Sequence, residues 1–119
     1  MKKILIVDDE PDFSATVAVY LRGKGYQVLT ATNLEAATQL FRRERPRVIL
    51  LDLNMPILTG DKFLPVIRAL EPQLKVIVVT GVTEDEARER FKGTDTFAIF
   101  SKGGLSLETL KAAVDEAFL

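Results

Sequence analysis

Acidic residues directly follow two of the short apolar runs in this 119-residue sequence. Asp8, Asp9 and Glu10 come after the first run, and Asp52 comes after the third. If these runs are neighbouring parallel strands, three Asp carboxylates converge beyond their carboxyl ends, where open α/β sheets bind ligands. Two unit charges about 4 Å apart repel by roughly 4 kcal/mol at an effective dielectric near 20. Such a cluster therefore needs a neutralising proton, metal ion or lysine.

A hydroxyl and an ammonium group follow two further runs. Thr80 and Gly81 close the fourth run, and Ser101 and Lys102 close the fifth. An all-oxygen ligand set suits Mg²⁺, which binds one or two carboxylates together with a phosphate. A carboxylate beside such an ion can act as a nucleophile toward phosphorus, and phosphoryl transfer needs mainly positioning and charge neutralisation. The pattern indicates an aspartyl-phosphate site.

Each of these residues also has a purely structural interpretation. Acidic residues after a strand are often N-caps, and Asp9, Glu10 or Asp12 could have that role. A single Asp at a strand end is commonly a turn residue, and a lone Lys there is commonly solvated. The hypothesis therefore depends on the combination of these residues at the ends of several runs.

Composition excludes several classes of function. The chain has 16 basic and 17 acidic residues and neither Cys nor His, which excludes disulfides, thiolate catalysis, serine-type triads and phosphohistidine on this chain. The net charge of -1 predicts no direct nucleic acid binding. No apolar run approaches the ~20 residues that span a bilayer, so we expect no membrane insertion and a cytoplasmic location.

The pattern of apolar residues predicts five strands alternating with five helices. The first, third and fourth runs are continuously apolar, as expected of strands covered on both faces. The predicted strands are residues 4–7, 28–31, 48–51, 76–79 and 97–100. This alternation predicts an α/β fold with one doubly wound, mostly parallel sheet. With no repeat or linker, we expect a single domain over residues 1–119.

Helix boundaries are signalled by caps. Asn33, Thr83 and Ser106 are expected N-caps, and Gly25 is expected to stop the first helix. The fourth helix has the weakest apolar face, which only Ala87 and Phe91 mark in the sequence. It is therefore expected to be short and of low stability.

Four motifs make the whole chain similar to the response-regulator receiver domains of two-component signalling, and chemotaxis regulators in particular. They are Val-Asp-Asp-Glu at 7–10, Leu-Asp-Leu-Asn-Met-Pro at 51–56 followed by Gly60, Thr80-Gly81, and Lys102. The resemblance implies a flavodoxin-like (βα)5 fold with strand order 2-1-3-4-5.

The resemblance also implies the role of each acidic residue. Asp52 would be the phosphoacceptor, taking its phosphoryl group from a sensor histidine kinase or a phosphotransfer protein. Mg²⁺ would be bound directly by Asp9 and Asp52, through water by Asp8, and by the backbone carbonyl of Asn54. The domain would catalyse its own phosphorylation and slow dephosphorylation without being a turnover enzyme.

The remaining implied residues act in switching. Lys102 would pair with the phosphoryl oxygens, and the Thr80 hydroxyl would move to bond one of them. That movement would alter the surface of the fourth helix, fifth strand and fifth helix, with Ile99 at the family's switch position. The resemblance implies a monomer or weak dimer that contacts a downstream protein, and no effector domain is apparent.

Two residues depart from the family pattern. Gly103 stands where the family has a proline after its lysine, and because a non-proline cis bond costs about 2.5–4 kcal/mol, we expect a trans Lys102–Gly103 bond. Ile99 replaces the usual aromatic residue. Phe97 and Phe100 flank it, and we expect both to be core residues.

One alternative function remains, and two other classes are disfavoured by the residues present. The departures at Gly103 and Ile99 favour a receiver relative that binds proteins without phosphorylation. A phosphatase of the haloacid-dehalogenase type needs a second acid two residues after its nucleophile, where this chain has Asn54. A flavin or dinucleotide site would need a phosphate-binding loop after the first strand, where this chain is acidic.

Overall fold

Five parallel strands form one sheet in the order β2-β1-β3-β4-β5 in the computed structural model, which describes residues 2–119. The elements are β1 (Lys3–Val7), α1 (Pro11–Gly23), β2 (Gln27–Ala31), α2 (Leu34–Glu44), β3 (Val48–Leu51), α3 (Gly60–Leu70), β4 (Lys75–Thr80), α4 (Glu84–Arg90), β5 (Ala98–Ser101) and α5 (Leu107–Ala117). The predicted fold class and strand order are confirmed. In this range no helix combines the length and the apolar character needed to cross a membrane.

The sheet separates two cores. Apolar side chains that point to one face pack with α2, α3 and α4, and those that point to the other face pack with α1 and α5. The alternation is clear in β3, where Ile49 and Leu51 belong to the first core while Val48 and Leu50 belong to the second. Because both faces are covered, the central strands are continuously apolar, as their sequences indicate.

The pairing of β1 with β3 positions the two acidic loops. Val7 is in register with Leu51, so the residues that follow these strands emerge side by side. The backbone N–H of Asp52 donates to the carbonyl of Val7 at 3.0 Å, and that of Asp8 donates to the carbonyl of Ala31 at 3.1 Å. These hydrogen bonds extend the sheet by one residue and hold both aspartates at its carboxyl edge.

The predicted helix caps are present. The Asn33 side chain accepts from the N–H of the third residue after it at 2.8 Å, and Thr83 and Ser106 do the same at 3.2 and 3.1 Å. Each bond satisfies one of the backbone donors that a helix start leaves free. Gly25 has φ +97°, a conformation that glycine adopts at low cost, and it turns the chain after α1.

One core prediction is wrong. Strand β5 begins at Ala98 rather than at Phe97, and the Phe97 side chain is 37% exposed. The Lys75 ammonium lies 5.7 Å from the centroid of the Phe97 ring, so the ring packs beneath a cation instead of entering the core. Phe100 is half-buried against the α1 and α5 core, opposite Ile99.

Candidate functional site

Asp8 and Asp52 lie at the ends of the central strands β1 and β3. Their exposed fractions are 2% and 3%, so each carboxylate depends on hydrogen bonds from the protein. The backbone N–H of Glu10 donates to Oδ1 of Asp8 at 2.9 Å, and that of Asn54 donates to Oδ1 of Asp52 at 3.2 Å. These local bonds form the tight turns that Asp favours after a strand and leave the Oδ2 atoms facing the pocket.

The ammonium of Lys102 joins three carboxylates. Its Nζ lies 2.8 Å from Oδ2 of Asp8, 2.6 Å from Oε1 of Glu10 and 3.4 Å from Oδ2 of Asp52. The same Nζ is 4.4 Å from the centroid of the Phe13 ring, a distance at which the ring face attracts a cation. The lysine side chain is 13% exposed. It therefore offsets one of the three negative charges of a cluster that would be costly alone.

The electrostatics of the cluster follow from burial and pairing. Burial raises the pKa of Asp8 above its ordinary value of 3.8, although hydrogen bonds from Lys102 and the Glu10 backbone oppose that shift. Burial alone would lower the pKa of Lys102, but its bonds to Asp8 and Glu10 and the charge of Asp52 raise it above the ordinary 10.5. Lys102 is consequently a permanent cation at neutral pH.

The donor set fits a hard divalent cation. Carboxylate oxygens of Asp8, Glu10 and Asp52 all lie within 4.8 Å of one another, and oxygen is the donor that Mg²⁺ prefers. A positive group, the Lys102 ammonium, already contacts all three. Asp9 is exposed and lies outside this group of three. Its role as a direct ligand stays a prediction, and the sequence did not assign Glu10 to the cluster.

Thr80 and Asn54, two further predicted site residues, differ in burial and in hydrogen bonding. Thr80 is fully buried, and among the described residues its Oγ1 has no hydrogen-bond partner. Its carbonyl accepts from the backbone N–H of Lys102 at 2.7 Å, which ties the end of β4 to the lysine. Asn54 is exposed and bonds Asp52 through its N–H. An orphaned buried hydroxyl is costly unless some state of the protein gives it a partner.

The loop after Lys102 has the expected trans peptide bond. Residues 2–119 contain no cis peptide bond, so Lys102–Gly103 is trans as predicted. The chain then turns at Gly104, which has φ +79°, and the N–H of Leu105 donates back to the Lys102 carbonyl at 3.3 Å. The glycine pair thus makes a tight turn without proline.

Ile99 lies behind the site in the core that contains α4. It is 9% exposed and shares that core with Ala87 of α4 and with Phe91. Ile99 therefore lies between the sheet and α4, and its part in switching stays a prediction.

Gly60 is a site residue that the motif contained but sequence reasoning gave no role. A Cβ on Gly60 would lie 2.3 Å from the backbone carbonyl oxygen of Asp52, far inside van der Waals contact. The N–H of Gly60 donates to the Leu53 carbonyl at 2.9 Å. The start of α3 therefore packs directly on the backbone of Asp52, and no side chain fits between them.

Comparison with known proteins gives one consistent family. The family model for the response regulator receiver domain matches residues 4–115. A response regulator receiver protein of Anaeromyxobacter sp. is 32% identical over 102 residues, which are 86% of this chain and 43% of that protein. Among solved structures, the chemotaxis protein CheY4 of Vibrio cholerae superposes with a TM-score of 0.88 at 28% identity, covering 98% of both chains.

A second curated relative bears on nucleic acid binding. The probable transcriptional regulatory protein TcrX of Mycobacterium tuberculosis is 31% identical over 116 residues, which are 98% of this chain and 46% of that protein. The prediction of no nucleic acid binding does not match that name. The prediction rested on the charge of these 119 residues alone, and the chain spans less than half the length of the two curated relatives.

Proposed function

Because the chain belongs to the response regulator receiver domain family, we propose that it is a two-component signalling module in which Asp52 accepts a phosphoryl group. Receiver domains are signalling modules rather than turnover enzymes. The observation that carries the proposal is the buried Asp52 carboxylate, which lies 3.4 Å from the Lys102 ammonium and shares one pocket with Asp8 and Glu10. A sensor histidine kinase or phosphotransfer protein would supply the phosphoryl group.

The residues present suit transfer from a phosphohistidine. An Asp52 carboxylate oxygen attacks phosphorus, the phosphorus–nitrogen bond breaks, and its electron pair returns to the imidazole, which then takes up a proton. Lys102 neutralises charge on the phosphoryl oxygens from the position it already holds beside Asp52. Mg²⁺, when bound by Asp52, Asp9 and the Asn54 carbonyl with Asp8 in support, supplies further positive charge to those oxygens.

The switch that we propose begins at Thr80. Its unpartnered hydroxyl gains an acceptor when a phosphoryl group is bonded to Asp52. Phosphorylation therefore stabilises a Thr80 conformation that has no hydrogen bond to favour it in the free protein. Thr80 ends β4, and Ile99 of β5 packs beside Ala87 of α4. Movement at Thr80 would therefore reach the surface formed by α4, β5 and α5, where a downstream protein would bind.

The proposed setting follows from the same features. A chain without cysteine suits the reducing cytoplasm, where the module would work as a monomer or weak dimer. Its own slow dephosphorylation would return it to the resting state.

Incubation with Mg²⁺ and acetyl phosphate tests the proposal. We expect the intact mass of the wild-type protein to rise by one phosphoryl group and Asp52→Asn to show no gain. The control variant Asp85→Asn, which removes an exposed carboxylate on α4, should show the same mass increase as the wild type. A gain that persists in Asp52→Asn, or no Mg²⁺-dependent gain in the wild type, would contradict Asp52 as the acceptor.

A second candidate is an interaction domain that works without phosphorylation. The trans bond at Lys102–Gly103 and the aliphatic Ile99 depart from the family pattern in the regions proposed to switch. In that case Asp52→Asn would leave the binding of a downstream protein unchanged with and without acetyl phosphate.

A further inference from the structure

A basic cavity lies at the end of the sheet opposite Asp52. Its volume is about 470 Å³, within the range of small-molecule sites. Arg47, which precedes β3, and Lys75, which begins β4, line it, whereas Asp52 follows the other end of β3. The cavity is thus separate from the candidate phosphorylation site.

The fold brings four cations to this cavity. Arg45, Arg47, Arg68 and Lys75 all line it. Arg45 has φ +50° and caps the end of α2, which turns the chain into β3. The N–H of Lys75 donates to the Arg47 carbonyl at 3.1 Å, so the pairing of β3 with β4 sets these two residues side by side.

None of the four cations has a carboxylate partner within residues 2–119, as judged by ion pairs of 4.0 Å or less. Glu71 and Asp95 are the acidic residues of the lining, which leaves four positive against two negative charges. The Glu71 carboxylate accepts from the N–H of Gln73 at 3.2 Å. The side chains of the lining therefore carry a net positive charge of two.

Three of the cations are held by aromatic rings, and the Arg45 guanidinium lies 5.9 Å from the centroid of Phe41. The Arg47 guanidinium lies 5.7 Å from the centroid of Phe118, and the Lys75 ammonium lies 5.7 Å from that of Phe97. A ring contact restrains a cation while leaving its N–H donors free for an anion. Cations near the carboxyl end of a helix are stabilised by the helix dipole. Arg47 and Lys75 lie at the starts of strands instead, so the helix dipole does not explain why these two cations are here.

We propose that this cavity binds a small molecule that carries linked phosphate groups. Arginine donors match phosphate oxygens in pairs, and lysine adds a compact charge. Four positive side chains against only two acidic ones leave an unfavourable excess of like charge, and a polyphosphate would supply several negative charges within one cavity. Phe97 lines an adjoining cavity of about 150 Å³. If the ligand is a nucleoside polyphosphate, this second cavity would accept its base.

Calorimetric titration with inorganic tripolyphosphate, in buffer without Mg²⁺, tests the proposal. We expect saturable binding that weakens with salt. The double variant Arg47→Gln/Lys75→Gln should bind about a hundredfold more weakly, about tenfold for each charged contact. Arg42→Gln/Lys92→Gln removes two exposed charges outside the cavity and should bind within about twofold of the wild type. Asp52→Asn should also bind normally, which separates this site from the proposed acceptor.

Two further probes identify the ligand chemistry. If adenosine triphosphate binds more tightly than tripolyphosphate and Phe97→Leu loses that gain, the ligand is a nucleotide. If the two bind equally, linked phosphates are sufficient for binding. Citrate should bind at least about tenfold more weakly than tripolyphosphate, because it carries fewer negative charges at neutral pH. Absence of saturable binding, equal weakening in both double variants, or citrate binding as tightly as tripolyphosphate would overturn the proposal.

Discussion

Lys102 is the residue whose charge decides the state of the site. Its ammonium contacts Asp8, Glu10 and Asp52, and two of these carboxylates are almost fully buried. Removing one partner of a buried ion pair leaves the other charged and unpaired, which costs much more than the pair contributes. Lys102 therefore stabilises the resting protein in addition to its proposed role beside the phosphoryl group.

The variant Lys102→Gln should lower the free energy of unfolding by roughly 3 kcal/mol. Urea unfolding at neutral pH measures this, and millimolar Mg²⁺ should restore part of the loss because a second cation can replace the ammonium. Lys111→Gln is a matched control that breaks a surface pair with Asp115, and it should cost less than about 1 kcal/mol. Equal losses of unfolding free energy in the two variants would show that Lys102 stabilises the protein no more than a surface ion pair does.

Tyr26 gives the fold a dependence on alkaline pH. Its hydroxyl donates to Asp115 of α5 and its ring stacks on Phe118 with centroids 5.4 Å apart. Burial and this hydrogen bond raise the pKa of Tyr26 from 10.0 to about 12. Between these values the unfolded chain has lost the phenolic proton while the folded chain retains it, so stability falls as pH rises.

The expected loss between pH 10 and pH 12 is roughly 1–2 kcal/mol, reduced from the full linkage value because the Asp115 side chain is 45% exposed. Phenolate absorbance measures the pKa directly in Tyr20→Phe, where Tyr26 is the only tyrosine. Adding Asp115→Asn should move that titration back toward 10. A Tyr26 titration that stays near 10 with Asp115 intact would contradict this assignment.

The sequence predicted which side chains meet wherever their position after a strand is enough to determine their neighbours. Asp8, Asp52 and Lys102 follow parallel strands, so their meeting could be predicted from chain order. Glu10 could not be distinguished from Asp9 in this way, because both leave the same strand and only the direction of each side chain places Glu10 on Lys102.

The packing of α3 against the end of β3 depends on one glycine. Gly60 begins α3, and its missing Cβ would lie 2.3 Å from the Asp52 carbonyl oxygen. The contact is with backbone, which cannot rotate away as a side chain could. A methyl group here must push α3 from β3 or displace Asp52.

Gly60→Ala should therefore destabilise the protein by about 1–3 kcal/mol and slow Asp52 phosphorylation by acetyl phosphate. Thermal unfolding and the rate of mass gain measure the two effects. Gly23→Ala is the matched control, since a Cβ there meets nothing within 4 Å, and it should leave stability equal or raised by up to about 1 kcal/mol. If Gly60→Ala has the wild-type unfolding temperature and phosphorylation rate, the close contact between Gly60 and the Asp52 backbone is not needed for stability or for phosphorylation.

Elements were predictable where local signals agreed with packing. Asn33, Thr83 and Ser106 are N-caps in sequence and structure because a cap needs only its own first turn. The start of β5 was predicted one residue early, because Phe97 is apolar but is placed under the Lys75 ammonium. The close contact at Gly60 was not predictable, since it joins two elements whose spacing no local pattern encodes.

The whole molecule separates two chemistries at opposite ends of one sheet. The carboxyl end gathers Asp8, Glu10 and Asp52 around one ammonium, and the amino end of β3 and β4 gathers four basic residues around a cavity. Parallel strands make this separation possible because all carboxyl ends meet at one edge. The proposed output connects the acidic end to α4, β5 and α5 through Thr80 and Ile99.

The central claim is that a phosphoryl group on Asp52 changes the surface formed by α4, β5 and α5. Backbone amide NMR spectra with Mg²⁺ and beryllofluoride, which mimics the phosphoryl group, test it most directly. We expect large shifts at Thr80 and across α4, β5 and α5 in the wild type, and none in Asp52→Ala. Shifts confined to the loops that contain Asp8 and Asp52, or equal shifts in Asp52→Ala, would contradict the account.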